Sequence, residues 1–446
     1  MNIVKKNIHS FLKTENKELL SVLRKKYSAK MPGHRYSKAY KNGWDGSKYF
    51  ITEGGRLGTG LVPYIEEDLN TAGIEYTIED LRSPPIGSPN TSVSSITYRD
   101  YQKELIDLSL ERRSAIIKAP TGAGKTIILA GILKALEGKM GLIFFTQKSI
   151  LEQTYEFLTN NGFDVGRVYG DGTDIKPVTL CTVQSIHKVI DTHLDHSEFI
   201  IFDEVHEFSK GKLTTKVVKS FPNASYRFGM SATPPKDRFA KLNLVAYLGR
   251  EISTVDVTDL VEEGFLTPPI ITFLEMEPYT DHSLLDAQYM DIYDSHIINN
   301  TARNEKIENI CKKIKKGKVL ILVKNLKHLS ILKEMIPESL TLEGKDDVAT
   351  RKATIKAFKS DTRSILIGTK IMQTGIDIPE ITHLINARGL KSEIATLQAL
   401  GRALRIHETK ETVSIYDFMD EVPYLKEHSR ARRRAYKSLG VKIDGN

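Results

Sequence analysis

Between residues 115 and 230 the chain alternates short apolar runs with segments of helical period. The runs are Ala115-Ile116-Ile117, Leu142–Phe145, Val178–Cys181, Phe199–Phe202 and Tyr226–Met230. Runs without polar alternation are strands buried on both faces, and helical crossovers between them make the sheet parallel. A second such series begins near 318: Val319–Val323, Leu340–Leu342, Ser364–Ile367, His383–Ile385 and Val413–Tyr416. The expected fold class is therefore α/β, with two tandem parallel-sheet domains.

Residues 1–82 follow another pattern. Glu15 to Tyr27 reads as a helix with Leu19, Leu20, Leu23 and Tyr27 on one side and Arg24, Lys25 and Lys26 near its C-terminal end, where cations suit the helix dipole. Turn signals at Asn42-Gly43, Asp45-Gly46 and Gly54-Gly55 predict short antiparallel strands, hence a small α+β domain. Its aromatics alternate with bases around Trp44 and Lys48, a composition that suits either base stacking with phosphate contact or simply the core of a small domain.

Three prolines in Ser83–Asn90 mark residues 83–97 as a semi-stiff linker. A first α/β domain is expected over 98–250, opened by a helix at Tyr98–Gln102. A connector follows over 251–317, with Asn299–Asn304 on a loop entering a helix, and a second α/β domain over 318–446. The basic tail, Arg430, Arg432, Arg433, Arg434 and Lys437, is either a solvated helix face or a phosphate contact.

At 446 residues two or three domains are expected. The net charge of +8 leans towards a polyanionic partner, since Lys and Arg release counterions from nucleic-acid phosphates. Cys181 and Cys311 stand apart without CxxC or clustered His, which argues against a zinc site or disulfide framework and fits a reducing cytoplasm. No apolar run approaches membrane-spanning length, and the N-terminus lacks the apolar core of a signal peptide.

The chemistry is concentrated at Ala119-Pro120-Thr121-Gly122-Ala123-Gly124-Lys125-Thr126, between a buried strand and a helix. Glycines there let backbone N–H groups turn around a polyphosphate, with Lys125 directed to the β/γ-phosphates and the Thr126 hydroxyl to Mg²⁺. Ala119 stands where the common pattern has Gly. Further on, Phe199–Phe202 runs into Asp203-Glu204-Val205-His206. A carboxylate at the end of a buried strand in the cradle's sheet is suited to the metal, and its neighbour to the attacking water. Ser231-Ala232-Thr233 follows the last strand of that domain, and Gln398-Ala399-Leu400-Gly401-Arg402-Ala403-Leu404-Arg405 lies in the second, where the two arginines are expected to point the same way on a helix.

In this order the motifs resemble those of superfamily 2 helicases of the DExH type, over about 98–420. Within the superfamily, the DEVH box, the compact size, Asn299–Asn304 and the Gly43–Lys48 stretch look most like UvsW-type branch-migration helicases of tailed phages, with XPB-like helicases a second home.

The resemblance implies two RecA-like domains with ATP and Mg²⁺ between them. Gln102 would read adenine, Thr121 to Thr126 with Lys125 would hold phosphates, and Asp377, in Thr374–Pro379, would border the nucleotide. Thr126 and Asp203 would hold the metal, and Glu204 would polarise water. Gln398, Arg402 and Arg405 would act on the γ-phosphate, while His206, Ser231 and Thr233 would couple nucleotide state to nucleic acid. Thr146, Gln147, Lys148, Thr182, Gln184, Lys324 and Thr369 would grip the nucleic-acid backbone, joined by Trp44 and Lys48. The family implies double-stranded, branched DNA as partner, read through backbone and shape, in recombination, repair and replication, and a cytoplasmic location, the host's for a phage protein. Two other readings stay open: an RNA-directed helicase, and a nucleic-acid-binding scaffold without motor activity.

Overall fold

The computed structural model describes residues 1–87, 89–209, 213–277, 288–369, 378–441 and 443–444. They form two compact units, one of residues 1–119 with 124–254, the other of 120–123 with 255 onward.

The first unit begins with β1 (Asn2–Lys5), β2 (His9–Lys13), β3 (Ser28–Lys30), β4 (Ser47–Tyr49), β5 (Arg56–Gly58) and β6 (Thr77–Asp80). Four of them make a sheet in the order β5-β2-β1-β6, and β3 pairs with β4 separately. The expected helix runs over Lys17–Lys26, capped by the Asn16 side chain, which accepts from Leu19 N at 2.9 Å. Asn42-Gly43 does not turn a hairpin. It ends the short helix Lys38–Lys41, so β3 and β4 are joined by a helical excursion.

This N-terminal segment is not a free-standing core. Its apolar residues, including Ile3, Leu12 and Leu61, join one cluster with Leu244 and Leu248 of the helix Arg238–Leu248 and with Phe144 and Phe202 beyond it. The backbones touch: a Cβ at Gly58 would lie 1.9 Å from the Ala246 carbonyl oxygen, and one at Gly60 2.1 Å from that of Val245. Only glycine permits that approach. The stretch expected as a linker is fastened to the same unit. Ile86 N donates to the Tyr226 hydroxyl at 2.8 Å, Arg113 to the Ser83 carbonyl at 2.5 Å, and Ser95 Oγ to Asn161 at 2.7 Å.

The larger sheet of this unit contains β7 (Ser114–Lys118), β8 (Gly141–Phe145), β9 (Gly166–Tyr169), β10 (Gly172–Asp174), β11 (Val178–Thr182), β12 (Phe199–Phe202), β13 (Tyr226–Ser231) and β14 (Arg250–Ile252). Their order is β10-β9-β11-β8-β12-β13-β7-β14, parallel except at β9–β10. The five strands expected from apolar runs are all central. The unforeseen β9, β10 and β14 are short, carry charge and lie at the margins, where burial demands no apolar run.

The second unit holds β15 (Pro269–Glu275), β16 (Gly317–Leu322), β17 (Leu340–Leu342), β18 (Arg363–Gly368), β19 (Ile381–Asn386), β20 (Val413–Met419) and β21 (Ile443–Asp444). The order is β17-β18-β16-β19-β20-β15-β21, and each pairing is parallel. Here the expected connector is corrected: β15 lies within 251–317, yet pairs with β20 over seven residues. Asn300 caps the helix Thr301–Lys313 by accepting from Arg303 N at 2.9 Å, which is the loop-to-helix passage expected of Asn299–Asn304.

The basic tail is also corrected. It lies on the helix Leu425–Lys437, where Arg430, Arg434 and Lys437 face solvent but Arg432 is fully buried. Arg432 Nε donates to Asp417 Oδ1 at 2.9 Å, and its other nitrogens reach the Leu390 and Phe418 carbonyls at 2.9 and 3.0 Å. Tyr436 donates to the same Asp417 at 3.0 Å, and buried Arg303 donates to Asp420 at 2.6 Å. A buried guanidinium is tolerated because carboxylate and carbonyls together replace its water.

Candidate active site

Strands laid side by side in parallel bring their carboxyl ends to one edge, the usual ligand edge of such sheets. Five adjacent strands of the first unit, β11, β8, β12, β13 and β7, end there. Ala119 follows β7, Asp203 follows β12, and Ser231 closes β13. Thr146, Gln147 and Lys148 follow β8, and Gln184 comes two residues after β11.

After β7 the loop turns on Gly122 and Gly124, at φ +91° and +79°, a conformation that L side chains resist. Ala123 N donates to the Pro120 carbonyl at 3.0 Å. Gly124 then starts the helix Lys125–Ala135, so its first N–H groups and positive end face the loop. Gln102 is fully buried against this start: a Cβ on Gly124 would come 2.6 Å from Gln102 Nε2. Its Oε1 accepts from Arg99 N at 3.0 Å, which fixes the amide. Thr121 and Thr126 are partly exposed on the loop and on the first helical turn.

Lys125 Nζ donates to Glu204 Oε1 at 2.6 Å. The other Glu204 oxygen is 3.3 Å from His206 Nδ1, and that nitrogen is 2.8 Å from Ser231 Oγ. Ser231 Oγ also accepts from Thr233 N at 3.1 Å, and the Ser231 carbonyl accepts from Ala119 N at 3.1 Å. The residues thus form a closed circuit from the cradle lysine through the carboxylate and imidazole to β13, then back to the residue that opens the cradle.

Glu204 sits at φ +47°, a left-handed conformation costly for a residue with a side chain. Burial by itself would raise its pKa, but the Lys125 ammonium and His206 outweigh it and hold the carboxyl below the usual range. Asp203 moves the other way: burial first, then the adjacent Glu204 charge, push it up to about 6. Neighbouring acids driven apart in this way are suited to different tasks. Glu204 Oε2, His206 Nε2 and Thr233 Oγ1 are buried without a hydrogen-bond partner among the described residues. The two oxygens among them, with the Thr126 hydroxyl and the Asp203 carboxylate, fit a hard divalent cation, while the cradle N–H groups and Lys125 fit a triphosphate.

Beside this site, Thr146 and Gln147 are partly exposed and Gln184 exposed, while Lys148 holds its ammonium 4.2 Å from the Tyr169 ring centroid. Thr182 differs from expectation. It is buried and donates to Ser185 Oγ at 3.0 Å, so it orders the loop from inside. Lys48 also turns inward, whereas Trp44 stays partly exposed, its indole bonded within its own loop. The indole donates to the Ser47 carbonyl at 3.1 Å, and Lys48 donates to Asn243 Oδ1 at 2.7 Å with its ammonium 4.6 Å from the Phe50 ring centroid. Of the two readings of this stretch, the Lys48 contacts favour packing for that residue.

In the second unit, Lys324 and Thr369 follow β16 and β18. Gln398 and Arg402 share a face of the helix Glu393–Ala403, four residues apart, and both are partly exposed. Arg405 lies two residues past the end of that helix, contrary to the expectation that both arginines sit on it. Asp377, with Thr374–Ile376, lies outside the described residues.

A phosphate cradle, strand-end carboxylates and a coupled histidine on one parallel sheet, followed in the chain by a second parallel sheet, define a nucleoside-triphosphate-driven motor of the RecA-like class. Residues 95–236 match the family described as type III restriction enzyme, res subunit, and residues 302–407 match the helicase conserved C-terminal domain. The chain is 24% identical over 458 aligned positions to the ATP-dependent DNA helicase uvsW of Enterobacteria phage T4, covering 94% of this chain and 90% of that protein. It is 22% identical to a putative DNA 3'-5' helicase Rad25 of Halobacterium salinarum, covering 82% of this chain and 62% of the other. The structure of S. cerevisiae Dbp5 bound to RNA and ADP BeF3 shares the fold, with a TM-score of 0.56 at 15% identity over 77% of this chain and 88% of that one. The chain belongs to the superfamily 2 helicases, and its enzymatic class is that of helicases that hydrolyse ATP.

Proposed function

We propose that this protein is an ATP-driven DNA motor that unwinds and branch-migrates branched DNA, forks and Holliday junctions, in recombination, repair and replication. The observation that carries this reading is the circuit Lys125–Glu204–His206–Ser231, built on the sheet edge that also presents Thr146, Gln147, Lys148 and Gln184. Similarity to the phage T4 DNA helicase along 94% of the chain and a net charge of +8 support DNA as the polyanion.

In this mechanism the cradle N–H groups and Lys125 hold the phosphates of ATP. Thr126 and Asp203 would hold Mg²⁺, which supplies charge neutralisation at the β/γ-phosphates. Phosphate oxygens compete with Glu204 for Lys125, and the released carboxylate orients the attacking water and accepts its proton. The same exchange alters the pull on His206, which is hydrogen-bonded to Ser231 on β13. Gln102 fits the adenine edge. Arg402 and Arg405, with Gln398, supply the cations that stabilise charge leaving the γ-phosphate. Thr369, Lys324 and the β8 and β11 strand ends hold the DNA backbone, so translocation is indifferent to base sequence. Each cycle of hydrolysis then resets the grip.

The test offers the purified protein a four-way junction, a fork and a plain duplex with ATP. Strand exchange on the first two, dependent on hydrolysis, is expected. Equal inertness towards all three contradicts the proposal.

A further inference from the structure

Tyr424 precedes the helix Leu425–Lys437 at φ +60° and ψ −50°, one of three described non-glycine residues at positive φ. Leu425 N donates to the Pro423 carbonyl at 2.7 Å, so the backbone makes a γ-turn of the strained hand, centred on an aromatic residue. Such a turn is easiest for glycine, and holding a large side chain in it costs backbone strain that the surrounding packing must offset.

What the turn presents is an open ring. Tyr424 is 53% exposed, and its ring meets Tyr289 edge to face, with centroids 6.1 Å apart and planes at 81°. Tyr289 in turn lies 5.5 Å from His428 and 5.8 Å from Tyr293. Tyr293 is buried, with its hydroxyl donating to the Arg388 carbonyl at 2.6 Å, so the inner end of the group is fixed. Behind the rings stands Lys324, its ammonium 4.4 Å from the Tyr293 centroid and 5.5 Å from that of Tyr289. Lys324 and Tyr424 follow β16 and β20, whose carboxyl ends share the ligand edge of this sheet. The rim cations Lys391, Lys327 and Lys426 are in surface pairs with Glu427, Asp294 and Glu421, which cost little to open towards a phosphate.

We infer that Tyr424, backed by Tyr289, is a stacking ledge for an unpaired nucleobase of DNA, with Lys324 drawing the adjoining phosphate. Every base has a π-face, so such a ledge holds bases without reading sequence. It adds to the backbone grip a contact that only a base lifted out of a duplex can make, which suits the mouth of a fork. This inference rests on the DNA-motor reading.

The test uses two forked duplexes of one sequence, one with a single-stranded arm of thymidines and one with that arm abasic, and follows binding by fluorescence anisotropy at low salt. The full-length protein is expected to bind the thymidine arm about tenfold more tightly. Tyr424→Gly, which relaxes the turn and so keeps or raises the Tm, should erase that preference, and Tyr424→Phe should keep it. Equal binding of both forks by the unmodified protein, or a preference that survives Tyr424→Gly, overturns the ledge while leaving the motor intact. Failure to bind either fork overturns the DNA reading itself, and the ledge with it.

Discussion

Lys125 Nζ and Glu204 Oε1 lie 2.6 Å apart, one at the start of the cradle helix and the other just past the end of β12. The pair joins the residue that holds phosphate to the residue that handles water, so occupancy by one partner bears directly on the other. Glu204→Gln keeps the shape and removes the base. It is expected to lower kcat for ATP hydrolysis by about 100- to 1000-fold while nucleotide binding survives. Steady-state hydrolysis together with binding of a fluorescent ATP analogue checks this; an unchanged kcat would contradict Glu204 as the base, and no hydrolysis by the unmodified protein would favour the scaffold reading.

Arg432 and Asp417 bear on stability. Both are fully buried, and removing one leaves the other charged without water. Arg432→Ala is expected to destabilise the second unit by about 3–5 kcal/mol, measured by urea unfolding, whereas Arg430→Ala on the exposed face costs about 0.5 kcal/mol or less.

The pH dependence follows from His328. Burial, then the Arg303 charge, depress its pKa from 6.5 to about 3, and its Nε2 lies 2.9 Å from Asn304 Oδ1. The folded state binds a proton less readily than the unfolded, so this contribution is present above about pH 6.5 and lost as pH falls towards 3. His328→Gln keeps a donor for Asn304. It should shrink the loss of stability between pH 7 and pH 4 by about 1–3 kcal/mol in denaturant titrations. An unchanged loss would mean that His328 does not titrate on unfolding.

Docking of the N-terminal sheet is tested at Gly60. A methyl group there meets the backbone of Val245 and Gly249, which cannot step aside as a side chain can. Gly60→Ala is expected to cost about 2–4 kcal/mol in the first unit, while Gly54→Ala, in open space, is near neutral. Thermal melts of the two variants decide it.

The central strands were legible because burial on both faces leaves runs such as Phe199–Phe202 no polar position. β15 was not legible: most of Pro269–Glu275 is partly buried or exposed, the run stands apart from both strand series, and its partner β20 lies far on in sequence. Asn300 announced its helix because a cap is a local matter. Arg432 did not announce its burial, since the compensating Asp417 and the Leu390 carbonyl come from distant parts of the chain. At the site, motif order pointed to Lys125, Glu204, His206 and Ser231, which the fold gathers within hydrogen-bonding or ion-pairing reach of one another. The inward turn of Lys48 and Thr182 was invisible, because a Lys or Thr reads alike whether it faces solvent or a buried acceptor. Tyr424 carried no motif at all, and only its backbone angle and exposed ring set it apart.

The most direct test of the central claim is the rate of ATP hydrolysis by the full-length protein alone, with a forked DNA, and with an RNA fork of the same sequence. The DNA fork is predicted to raise the rate at least about tenfold, the RNA fork far less, and Glu204→Gln to remove the stimulated rate. A rate indifferent to DNA, or one driven equally by RNA, would contradict it.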